Sequence, residues 1–126
     1  MIKVLNFIKN EFEKLQIPYS FGEWSDEKVP NPFFTGEVTE VPQTTEDGYK
    51  ESTFILNGFG RCSLLEFEKV RAKIEKHFNP VTGLRTTFDD GSGVVIFYEN
   101  TLVIPLEEME FKRIQINLTI KEWRQI

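Results

Sequence analysis

The sequence predicts an α+β domain: an antiparallel sheet with two helices packed on one face, in the order α-β-β-β-α-β-β-β, with three or four strands in the second group. Three observations predict it. Ile114, Ile116, Leu118 and Ile120 alternate with Arg113, Gln115, Asn117, Thr119 and Lys121, the period of a strand with one apolar and one polar face. Two other stretches place apolar residues three and four apart, as a half-buried helix does. Proline and glycine divide the remainder into short extended runs.

In chain order, residues 2–16 form the first helix, with Leu5, Ile8, Phe12 and Leu15 on one face and Lys9, Asn10, Glu13 and Lys14 opposite. Pro18 sets its end. The aromatic run "IPYSFGEW" (17–24) reads as a short strand, and "SDEKVPNP" as a polar loop broken by Pro30 and Pro32. "FFTGEVTEV" (33–41) alternates with Phe34 and Val38 inward, and "STFILNGF" (52–59) is the next strand. Together they predict a long hairpin whose tip lies near 46–48.

Ser63, followed three residues later by Glu66, has the spacing of a capping box. It opens a second helix with Leu64, Phe67, Val70, Ile74 and Phe78 as its stripe, stopped by Asn79–Pro80. "LRTTF", "DDGSG" and "VVIFY" then read as strand, turn and strand. "TLVIPL" (101–106) is read as a further strand, with Pro105 pointing to an edge or a bulge. The alternating strand closes the series.

The chain has 126 residues and forms one domain, 1–126. At 40% hydrophobic and 28% charged, the composition is globular rather than disordered. Twelve Phe residues supply much of the area available for burial. A net charge of −5 argues against tight binding of DNA or RNA and against an anionic membrane surface. No apolar run approaches the ~18 residues of a membrane span, and the charged start is not a signal peptide. Cys62, the single cysteine, has no internal disulfide partner, which fits a reducing cytoplasm.

Candidate chemistry is sparse. His77 is the only histidine, and its place in the last turn of a helix suits a dipole contact better than a Ser–His–Asp or Cys–His set, for which it has no second candidate. Cys62 stands beside a helix start that could activate a thiol, but no base is identifiable. Asp89 and Asp90 are adjacent, whereas a calcium loop needs alternating ligands, so turn chemistry is preferred. "GFGR" (58–61) lacks the rest of a dinucleotide or phosphate loop and reads as a bend. Glu107, Glu108 and Glu110 read as a solvated turn. The expectation is a protein that is not an enzyme and holds neither cofactor nor metal.

Two features call for a partner. The polar face of the last strand offers Arg113, Gln115, Asn117 and Thr119, a mixture of base, amide and hydroxyl. The 42–51 connection is long and polar, with Glu46, Asp47 and Tyr49 at or near its tip. Both would be used if subunits packed side by side in a ring, although a plain solvent face remains an alternative for the strand.

The run "GLRTTFDDGSGVVIFYEN", followed by "KRIQINLTIKEW", resembles small proteins encoded in the head–tail joining region of long-tailed bacteriophages and prophages. The order of elements is similar to that of the tail terminator, or tail completion, proteins. The resemblance implies a structural role in the virion, with assembly in the host bacterial cytoplasm. It also implies a homo-oligomeric ring, a hexamer in that family, which caps the tail tube and meets the head connector. An acidic balance would suit a channel through which DNA passes without sticking. The alternative is a small ligand- or peptide-binding module, with Tyr19, Phe21, Trp24, Phe33 and Phe34 lining an aromatic pocket.

Overall fold

Thirteen residues, Ile2–Lys14, wind into α1, and Val4, Ile8 and Phe12 carry its apolar stripe inward. The computed structural model describes residues 2–22, 30–40, 48–104 and 111–123. After α1 come β1 (Tyr19–Phe21), β2 (Phe33–Glu40), β3 (Tyr49–Gly60), α2 (Leu64–His77), β4 (Leu84–Thr87), β5 (Gly93–Ile104) and β6 (Lys112–Trp123). Strands hold 50% of the described residues and helices 26%, so the sheet dominates the fold. It is one curled, six-stranded sheet in the order β1-β2-β3-β6-β5-β4.

This sheet corrects the antiparallel one expected from the sequence. β1 runs parallel to β2, with Tyr19 beside Phe34 and Phe21 beside Gly36, so the sheet is mixed. The reason lies in the connection. Residues 22–32 are far longer than a hairpin turn, and parallel neighbours need a connection of about a dozen residues. β1 is also held from inside, because Ile17 is buried and the Tyr19 ring meets Phe12 edge-on at 4.9 Å.

Two further readings are corrected. "VVIFY" and the start of "TLVIPL" are one strand, β5, which passes through a bulge between Tyr98 and Asn100. A bulge adds a residue without ending the ladder. The expected role of Pro105 lies outside the described residues. The bend expected over "GFGR" falls at residues 61–62, since Gly58 and Gly60 are the last part of β3. A Cβ at Gly58 would stand 2.5 Å from the Phe34 ring and 2.7 Å from Ile114, so the glycine makes room for a ring across the strands.

Ile114, Ile116, Leu118 and Ile120 form the centre of the core, with Phe54 and Leu56 from β3 and Val94 and Ile96 from β5. The α1 stripe and Phe67, Ile74 and Phe78 of the α2 segment join the same cluster. Phe12 packs at 6.0 Å from Phe54 and 5.9 Å from Phe78, linking helix, sheet and the end of α2. Each such fully buried ring contributes roughly 1.5–3 kcal/mol. Ser63 caps α2, its Oγ accepting from Glu66 N at 3.3 Å.

Candidate interaction face

The alternation that buries one side of β6 sends Arg113, Gln115, Asn117, Thr119 and Lys121 to the opposite side of the sheet. All five are half-buried. Register sets Asn57 of β3 against Gln115 and Thr53 against Thr119, while Asn100 and Leu102 of β5 face Asn117 and Gln115. A side-chain ladder results. Gln115 Nε2 donates to Asn117 Oδ1 at 3.1 Å, and Asn117 Nδ2 donates to Asn100 Oδ1 at 2.7 Å. Thr119 Oγ1 donates to Glu99, the residue at the bulge, at 2.9 Å. Asn57 is buried, donates to Glu37 at 3.0 Å and accepts from Arg113 at 3.4 Å.

Aromatic rings close the face at both ends. Phe33 and Phe59 stack at 5.3 Å, and the Arg113 guanidinium lies 5.3 Å above Phe59. At the other end Tyr49 meets Trp123 at 5.5 Å. Lys121 sits 5.5 Å from the Phe97 ring. A cation placed over a ring face is attracted by the ring quadrupole. The face is therefore polar, preordered and flanked by aromatics. Arg113 Nε is buried and has no acceptor among the described residues.

Arg113, Gln115, Asn117 and Thr119 are thus brought together, with Tyr49 at the far end of the same face. Glu46 and Asp47 lie outside the described residues, as do Trp24 and the Glu107, Glu108 and Glu110 cluster. Sequence reasoning missed Asn57, Glu37, Glu99 and Asn100. In β3 the run "FIL" places apolar residues on both faces, so its two faces cannot be separated by period.

The residues weighed for chemistry have other uses. Asp90 Oδ1 accepts from Ser92 N at 2.9 Å, and its other oxygen pairs with Lys3 at 2.9 Å. The Ser92 hydroxyl, which also donates to Oδ1, together with Lys3 and the Ser92 N–H holds its carboxyl below the usual carboxylate range. Burial and the neighbouring Glu66 push the Cys62 thiol up, so the helix start does not activate it. His77 joins Glu11 of α1. The aromatics of the pocket alternative are split between faces: Phe34 is in the core, Phe33 lies on the outer face, and Phe21 is half exposed.

No protein-family model matches the chain, and no curated protein matches it. Among the described residues, no helix is long and apolar enough to cross a membrane.

Proposed function

We propose that this is a structural protein of a phage or prophage virion. In this reading it is a tail terminator or tail completion protein that assembles as a homo-oligomeric ring, a hexamer by resemblance, on the tail tube. It meets the head connector and acts without catalysis or cofactor, in the host cytoplasm during assembly and in the virion afterwards. The observation that carries this reading is the outer face of the sheet. Its amides and hydroxyls are already bonded to one another across strands, so a neighbour can meet a fixed surface at little cost in side-chain entropy. The acidic balance of the chain supports a DNA passage that does not retain DNA.

The test is particle assembly in the parent phage with Arg113→Glu and Gln115→Ala combined. The variant should fold yet give fewer tails joined to heads in electron micrographs. Joined particles at the parental frequency would remove the face from the assembly surface and, with it, the support for this function.

A further inference from the structure

β4 covers only the beginning of β5. It pairs with Gly93–Ile96, whereas β5 continues to Ile104. Tyr98 N donates to Phe78 O. Beyond it, among the described residues, no strand pairs with the outer edge of β5. This half-strand leaves Leu102 52% and Val103 57% exposed. Edge strands are ordinarily blunted by lysine, proline or a covering element, and residues 100–104 contain neither lysine nor proline. Glu99, at the bulge, is engaged by Thr119.

At the opposite margin of the sheet the last strand is β1, three residues long, with Phe21 half exposed. Register relates the two margins. Phe21 is level with Gly36, Leu56, Ile116 and finally Thr101. Tyr19 is level, by the same route, with Val103. Three antiparallel pairings separate β2 from β5, so β1 and β5 run in opposite directions.

We infer that copies of this chain join head to tail through these margins, β1 of one copy lying antiparallel against residues 99–104 of the next. Set side by side in the sheet, the copies bring the two strands to the same height. Phe21 and Val103 then share a face, and two half-exposed apolar side chains are covered together. The described residues of β1, Tyr19–Phe21, carry no charge to set against Glu99. β4 stands at the height of Gly93–Ile96 and β1 at that of Thr101–Val103, so the two short strands share the seam without colliding. Such a contact uses different surfaces on the two copies, and repetition closes it into a ring or extends it as a filament. The inference deepens the ring reading and rests on it for closure.

The experiment places Phe21→Cys and Val103→Cys in a Cys62→Ser background and treats the proteins with a short bismaleimide. A mixture of the two single variants should give a covalent dimer, each alone should stay monomeric, and the double variant should give a ladder. Leu102→Lys, at an already exposed position, should abolish the dimer without lowering the melting temperature. No dimer in the mixture, or equal dimer from Val103→Cys alone, overturns the contact. A ladder that never closes supports the contact and removes the ring, whereas a closed ring without cross-links overturns the contact alone.

Discussion

His77 Nε2 stands 2.9 Å from the Glu11 carboxylate, tying the last turn of α2 to α1 over the core. Glu11 is only 7% exposed, and its other oxygen meets Lys14 Nζ at 3.2 Å. A carboxylate so placed needs its partners, because an unpaired buried charge is costly. His77→Ala should therefore destabilise the protein by about 1–3 kcal/mol in urea unfolding. The double variant with Glu11→Ala should cost less than the sum of the two single changes. Additive losses would mean that the two side chains are neighbours without being coupled.

The two faces of β6 predict opposite outcomes one residue apart. Leu118 is fully buried, whereas Thr119 is half-buried on the outer face. Leu118→Asp should unfold the domain, a loss above about 4 kcal/mol. Thr119→Asn keeps a polar group beside Glu99 and should change stability by less than about 1 kcal/mol. Comparable melting temperatures for the two variants would contradict the observed alternation.

This alternation was legible in the sequence because it depends only on period. What was not legible depends on partners. Glu11 reads as a solvent residue until His77 is known to reach it, so the expected α1 stripe took Leu5 and Leu15, which are half-buried, and omitted Val4. The direction of β1 follows from which strand it meets, and neither Tyr19 nor Phe21 encodes that. The bulge at Glu99 has no residue signature of its own. The candidate site divides in the same way: its β6 members follow from alternation, whereas Asn57, Glu37 and Asn100 enter only through cross-strand register.

Gly36 tests the close packing beneath α1. A Cβ there would lie 2.5 Å from the Phe54 ring and 2.7 Å from Tyr19. Gly36→Ala should overfill this site and cost about 1–3 kcal/mol, with a changed near-ultraviolet signal from Tyr19. An unchanged denaturation midpoint would show that the rings can move aside.

Asp90 predicts the sign of one acid effect. Ser92 and Lys3 hold its carboxyl below the usual range in the folded protein. The folded value is thus lower than the unfolded one, so the contribution is present at neutral pH and is lost as pH falls through and below the carboxylate range. Asp90→Asn should be less stable than the parent at neutral pH, and the gap should narrow on acidification. A gap that is constant with pH would assign the loss to turn geometry instead of charge.

Asn117 separates a face that meets water from one that meets protein. It accepts from Gln115 and donates to Asn100, near the centre of the outer face. In the isolated protein both neighbours can turn to water, and a β-branched residue suits a strand better than Asn. Asn117→Val should therefore leave the melting temperature unchanged or raise it. In an assembled ring the same change removes a donor and an acceptor from a desolvated contact, where each unpaired neighbour costs about 1–3 kcal/mol. Stability of the monomer and assembly should move in opposite directions, measured by thermal unfolding and by counts of tails joined to heads. If both are unchanged, the ladder of amides faces solvent alone, and its order serves only the twist and register of the sheet.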